Sequence, residues 1–184
     1  KLQKEVPSDV HVELAMRYQT PGIKNALENL RKLRPEKIHI IPLYPQYASS
    51  STGSTLEEVF DRIKSWEVIP NLNVISKFYD HPKFIEALLK EARNYDLNKY
   101  DHILFSYHGL PERQILKASA HYGNNTCQMG ECCNKITANN RFCYRANSLE
   151  TTRQLVKALQ IPEGKYTSSF QSRLDDKWLK PYSD

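Results

Sequence analysis

The sequence has no apolar run approaching the roughly 18 residues that a membrane-crossing helix needs. It has no charged-then-apolar segment at its start, so nothing in it points to secretion. No Gly-x-Gly-x-x-Gly follows any candidate strand, which argues against a dinucleotide cofactor. Basic residues form no stripe interleaved with aromatics. Lys1, Lys4, Arg31, Lys32, Arg34 and Lys37 sit among acids, which disfavours nucleic acid as a partner. There is no sequence repeat and no low-complexity tract. Methionine occurs only as Met16 and Met129, and the chain opens on Lys1, so it is expected to have been cut from a longer one. Cysteine is absent outside one short stretch, Cys127 to Cys143. Structural disulfides are usually spread through a fold to close loops, whereas four cysteines crowded together look more like a metal site.

What is present is an ordinary globular composition. The 184 residues are 40% hydrophobic and 26% charged, with a formal net charge of +5. That length suits one domain or two small ones, and the mild positive field suits a small anionic ligand. Short β-rich runs alternate with amphipathic helices. Residues 10–16, 38–43, 73–78, 102–107 and 166–170 read as strands. Residues 38–43 form a continuous apolar run, as expected of a parallel strand covered on both faces. Thr20 and Pro21 read as the cap and first position of a helix with Ile23, Ala26, Leu27, Leu30 and Leu33 on one face. A second helix carries Leu56, Val59, Phe60 and Ile63. A third, capped by Asp80 or His81, carries Phe84, Ile85, Leu88, Leu89 and Ala92. A fourth carries Leu149, Thr152, Leu155 and Leu159, and Asp175-Asp176 reads as a helix start. This alternation predicts βαβ units and an α/β fold with parallel sheets flanked by helices. The stretch from about 120 to 147 is long for a connection and is therefore expected to be functional.

Ligands of open α/β folds bind beyond the carboxyl ends of strands. Residues 17–21, 44–54, 108–111 and 171–173 lie at such ends. His108 follows an apolar strand directly, which places an imidazole at the rim, suited to proton transfer near neutral pH or to a divalent metal. The alternative is a histidine that merely satisfies a turn. Arg17 can clamp a carboxylate or sit in a surface ion pair. Thr52-Gly53-Ser54 can hold an anion on free N–H groups or simply cap a helix, and it lacks the lysine and spacing of a P-loop. Cys127, Cys132, Cys133 and Cys143 are spaced Cys-x4-Cys-Cys-x9-Cys. The adjacent pair does not match the paired knuckles of zinc ribbons, and four thiolates are also what a [2Fe–2S] cluster requires. Free or disulfide-bonded cysteines remain the alternative, and His121 is a spare candidate ligand.

Four stretches together resemble the ferrochelatases, the protohaem and coprohaem ferro-lyases. They are Met16-Arg17-Tyr18 with Pro21, then Leu43-Tyr44-Pro45-Gln46-Tyr47 with Ser51-Thr52-Gly53-Ser54. Phe105-Ser106-Tyr107-His108-Gly109-Leu110-Pro111 follows, and then Phe170-Gln171-Ser172-Arg173 with Trp178-Leu179-Lys180-Pro181. They occur in family order over essentially the whole chain. The resemblance implies a chelatase-like fold of two Rossmann-like lobes, with residues 1–98 in the first lobe. Residues 99–184 open the second, which carries a cysteine-rich insertion at about 120–147. It implies an enzyme that inserts ferrous iron into protoporphyrin IX or coproporphyrin, the final steps of haem biosynthesis. His108 would be the catalytic residue that meets the iron substrate, and Arg17, Tyr18, Tyr47, Ser54 and Tyr107 would contact the porphyrin.

Cys127, Cys132, Cys133 and Cys143 resemble the internal cysteine group with which some bacterial members hold a [2Fe–2S] cluster, zinc being the alternative. The family's opening strand with its Gly-Thr-Pro-type loop and its later Leu-Glu-Thr-Leu-type glutamate have no counterpart here. The chain is therefore expected to be an internal fragment, inactive alone. A cytoplasmic protein is implied, with peripheral contact at the inner membrane allowed. Two competing functions are a non-catalytic metal- or haem-binding module and a cobalt chelatase of the same fold.

Overall fold

The computed structural model describes residues 1–121 and 127–183; residues 122–126 of the expected cysteine-rich insertion, and Asp184, lie outside the described residues. The chain divides into two compact units, Lys1–Leu43 with Ser49–Ser76, and Tyr44–Ala48 with Lys77–Asp184.

In the first unit, β1 (Lys37–Ile40) pairs in parallel with β2 (Asn71–Val74), with Ile38 opposite Leu72 and Ile40 opposite Val74. Helices α1 (Ile23–Lys32) and α2 (Ser54–Ile63) supply Ile23, Leu27, Val59 and Ile63, which close over Ile38 and Ile40. Their three-and-four spacing is what a one-sided apolar stripe requires. Only one face of β1 is buried, so the expected coverage on both faces is not found. Lys37 and His39 point outward, and His39 Nδ1 lies 3.0 Å from the side-chain amide of Asn73. α1 begins later than expected, with Gly22 rather than Thr20 at its N-cap.

Residues 10–16 form no strand. Their sole ladder-like contact is a bridge between Met16 and Gly22. No neighbouring strand supplies hydrogen bonds, and the side chain of Gln3 takes that place: its amide donates to the Val10 carbonyl at 2.8 Å and its oxygen accepts from the Val12 N–H at 2.8 Å. A β-like run needs a partner edge as well as a pattern.

In the second unit, β3 (Ile103–His108) pairs in parallel with β4 (Tyr166–Gln171), from Ile103 opposite Tyr166 to His108 opposite Gln171. Helix α3 (Pro82–Ala92) starts behind His81, whose Nδ1 accepts from the Lys83 N–H at 3.2 Å. It packs on α5 (Tyr144–Leu159). Helix α4 (Glu112–Ala120), absent from the sequence reading, follows the His108 loop directly and buries Ile115 with Ala48, Leu110, Phe170 and Leu179. The Asp175-Asp176 pair starts no helix. The Asp175 carboxylate accepts from the Lys177 N–H at 2.8 Å, a side-chain turn that competes with helix initiation. α5 turns a polar face inward, with Asn147, Ser148, Thr151 and Thr152 all buried.

Candidate functional site

In the first unit, Arg17, Tyr18 and Ser54 come together. Arg17 Nε donates to both the carbonyl and the hydroxyl oxygen of Ser54, each at 3.1 Å, and its guanidinium lies 4.7 Å from the centre of the Tyr18 ring. The Tyr18 hydroxyl is 3.3 Å from the Ser54 hydroxyl. Glu58, one turn along α2, places a carboxylate 3.8 Å from Arg17 and accepts from Arg62 at 2.8 Å. Sequence reasoning missed Glu58, although Ser54 and Glu58 share a helix face by their i, i+4 spacing. The loose distance leaves the Arg17–Glu58 pair weak, so the arginine is held chiefly by Ser54. No side chain caps α2 at Gly53. A single π-type turn, Ser49–Gly53, leads into it and buries Thr52.

In the second unit, His108 ends β3 with its imidazole exposed. Its backbone is tied on several sides. The Tyr144 hydroxyl donates to its carbonyl at 2.8 Å, and the next N–H, that of Gly109, donates to the Gln171 carbonyl at 2.7 Å. Leu179 N–H then bonds the Leu110 carbonyl at 3.0 Å, and Glu112 N–H bonds the Lys177 carbonyl at 2.9 Å. A Cβ on Gly109 would stand 2.7 Å from the Gln171 carbonyl and 3.2 Å from the Trp178 ring, so only glycine allows this approach. Burial pushes the Tyr144 phenol up to about 12. It therefore stays a neutral donor to His108 across the working pH range.

Tyr107 points to the opposite side of β3 from His108. Its hydroxyl lies 2.8 Å from the Thr152 hydroxyl, which also accepts from Ser168 at 3.0 Å, and burial raises its pKa. Tyr47 sits in this unit, edge-on to Phe142 at 5.5 Å, whereas Ser54 belongs to the other. The stretch 44–54 thus falls in both units, 44–48 in this one and 49–54 in the other.

The four cysteines line one pocket with Ser119 and Asn140. The Cys132 and Cys133 sulfurs lie 3.8 Å apart, and the Cys127 sulfur lies 3.7 Å from that of Met129. Among the described residues, no three His, Cys, Asp or Glu side chains converge on a single-ion site, and His121 does not line the pocket. Asn140 braces the segment, its amide donating to the carbonyls of Cys132 at 2.7 Å and Lys135 at 2.8 Å while its oxygen accepts from the Thr137 N–H at 2.7 Å.

Cys143 stands at the N-cap of α5. The Cys133 S–H and then the Ala146 and Arg145 amides hold its pKa below the ordinary thiol value, against the opposing effect of burial. Its neighbour Cys143 and then burial push the thiol of Cys133, 1% exposed, up, with the Arg145 guanidinium acting in the opposite direction. Burial likewise raises Cys127. Sequence reasoning found the cysteines by their crowding but missed Arg145 and Asn140, whose roles depend on where the turn folds back.

No helix among the described residues is long and apolar enough to cross a membrane. The family model of the ferrochelatases matches residues 1–184. The chain is 39% identical over its whole length to a ferrochelatase from Legionella pneumophila (strain Paris), covering 54% of that protein. It is 38% identical to one from Pseudomonas putida KT2440 and 39% identical to one from Pseudomonas fluorescens Pf0-1, over 94% of this chain in each case and 52% and 51% of theirs. The chain spans about half the length of the curated relatives it matches, and over that half its four motif stretches, the laced His108 loop and the Arg17–Ser54 clamp all lie within the matched region: this chain belongs to the ferrochelatase family.

Proposed function

We propose that this chain is part of an enzyme that inserts ferrous iron into a porphyrin, protoporphyrin IX or coproporphyrin, to form haem. The observation that carries the reading is His108: an exposed imidazole on a strand end whose backbone is fixed on both sides, in a chain of this family. Metallation replaces two pyrrole N–H protons with one divalent iron. An imidazole can accept such a proton, or bind the arriving iron through a ring nitrogen. Iron here is substrate, not resident cofactor. Arg17, Tyr18 and Ser54 offer a guanidinium, a phenol and a hydroxyl suited to an anionic propionate. Tyr47 contributes an aromatic wall, and Tyr107 anchors β3 on α5. In this reading residues 1–98 belong to the first lobe and 99–184 to the second. The protein works in the cytoplasm, with exposed Leu14, Met16 and Tyr18 allowing peripheral contact at the inner membrane.

The cysteine pocket is read as the seat of a [2Fe–2S] cluster held by Cys127, Cys132, Cys133 and Cys143. One zinc about 2.3 Å from each thiolate would gather all four sulfurs around one point. Four sulfurs lining one pocket suit the four thiolates of a two-iron cluster, and the Gln128 N–H, which donates to the Cys132 sulfur at 3.4 Å, suits thiolate charge. Such a cluster would supply a structural clamp on a segment with little apolar core of its own. The test of the catalytic reading is His108→Ala in the full-length enzyme. Metal insertion should fall by about a hundredfold or more with the circular dichroism unchanged. Retained turnover at normal iron affinity would overturn it.

A further inference from the structure

We propose that Asn140 is a positioning residue of the cysteine site, holding the backbones of Cys132 and Cys143 in register with one another. The inference rests on the cluster reading above. A ligand meets its metal at a set distance only if its own backbone is held, so the hydrogen bonds behind the ligands belong to the site as much as the sulfurs do.

Between Gly130 and Cys143 the chain has one 3-10 turn, Glu131–Cys133, and otherwise only bends and irregular turns. Its backbone groups therefore need partners outside helix and sheet ladders. Asn140 spends its whole side chain on them. Its two amide hydrogens go to the Cys132 carbonyl at 2.7 Å and the Lys135 carbonyl at 2.8 Å, and its oxygen accepts from the Thr137 N–H at 2.7 Å. Its main chain extends the grip: the N–H donates to the Thr137 carbonyl at 3.3 Å, and the carbonyl accepts from the Cys143 N–H at 2.8 Å. One residue thus ties Cys132 through its side chain and Cys143 through its main chain, while lining the pocket of the four sulfurs. Three other side chains reach the segment at one carbonyl each: Lys77 at Arg141, 2.9 Å, Arg145 at Gly130, 3.2 Å, and Arg153 at Cys133, 3.2 Å. None of them joins two cysteines.

The side chain suits the task because a primary amide offers two donors and an acceptor at once. Aspartate keeps the shape but sets two acceptor oxygens against the Cys132 and Lys135 carbonyls. Asn139 lines the same pocket with its residue exposed, so the same exchange there adds the same charge without touching the brace. The experiment compares the anaerobically purified full-length holoprotein with Asn140→Asp and Asn139→Asp. It follows the visible Fe–S band during challenge with a ferrous chelator. It also records the g values of the dithionite-reduced protein by electron paramagnetic resonance, which report ligand geometry rather than stability.

N140D should lose the band at least about tenfold faster, the low end of what removing such a supporting contact costs, and show shifted g values. N139D should match the parent in both. With a coloured parent, an N140D that matches it, that moves in only one of the two readings, or that is equalled by N139D overturns the Asn140 proposal alone. If N140D does not fold, N140S decides, since it keeps one donor but cannot span both carbonyls. Faster loss with shifted g values supports the proposal, and any other result overturns it. A colourless parent without bound iron overturns the cluster reading and the proposal with it.

Discussion

The two units use the same device, a parallel pair of strands covered by helices, and bury different chemistry behind it. Behind β1 and β2 lies an aliphatic cluster of Ile23, Leu27, Ile38, Ile40, Val59 and Ile63. Behind β3 and β4 lie hydroxyls and amides: Asn147, Ser148, Thr151, Thr152 and Ser169 are all at most 2% exposed. Most of these hydroxyls are paired. Thr151 donates to the Tyr79 carbonyl at 3.0 Å, Ser148 to the Tyr144 carbonyl at 3.0 Å, and Ser169 meets Ser183 at 2.7 Å. Aliphatic packing is non-directional, so it secures burial while tolerating small rotations. Hydrogen bonds are directional, so a polar core sets the rotation of its elements. The elements set in this way are β3, which carries His108, and α5, which begins at Cys143. The unit that holds the exposed imidazole and the thiols is the one with the orientation-fixing interior.

Paired substitutions can break this contrast. The largest effect should come from Gly109→Ala. The Gln171 carbonyl that its Cβ would meet at 2.7 Å is fixed in the loop lacing, so the backbone must move. A destabilisation of about 3 kcal/mol, the upper end of overpacking costs, should appear in urea unfolding, and under the proposed function the full-length enzyme should lose metal insertion as His108 shifts. Its counterpart in the first unit, Gly22→Ala, meets only the Gln19 carbonyl at 3.8 Å and should cost a few tenths of a kcal/mol at this N-cap. Equal costs would show that the His108 loop is no more constrained than the start of α1.

Thr152→Val should come next, at about 1 to 2 kcal/mol, because it takes from Tyr107 and Ser168 the hydroxyl that joins them. The smallest effect should come from the same exchange in the first unit. Thr52 is 0% exposed and its hydroxyl has no hydrogen-bond partner among the described residues. Thr52→Val should therefore be within about 0.5 kcal/mol of neutral, or stabilising, since it removes a buried unsatisfied group while keeping the shape. Denaturant midpoints for the two valine variants, measured side by side, sharpen the comparison. A costly Thr52→Val would mean that the first unit also depends on a buried polar contact.

Much of this was legible in the sequence because it depends on local order. The helix faces at Ile23-Ala26-Leu27 and Val59-Ile63, a cap at Asp80 or His81 that is His81, and strands expected over 102–107 and 166–170 that run Ile103–His108 and Tyr166–Gln171 follow from periodicity and from neighbours a few residues apart. The misreadings share the opposite cause. Residues 10–16 have a strand-like pattern but no edge to pair with. The run at residues 38–43 reads as continuously apolar, yet it holds His39 and its strand is covered on one side only. α4 received no reading, because Ile115 is its one buried residue and no apolar stripe marks it.

The order of the residues by itself determined the α/β alternation, the placement of a histidine at a strand end and the crowding of four thiols into one segment, all consequences of spacing along the chain. It did not determine which charges and donors meet those groups. That Glu58 reaches Arg17 and that Tyr144 bonds the His108 carbonyl from 36 residues away were decided by the tertiary structure alone. Hydrogen bonds and ion pairs act over a few ångströms, and folding brings within that range residues that the sequence keeps far apart.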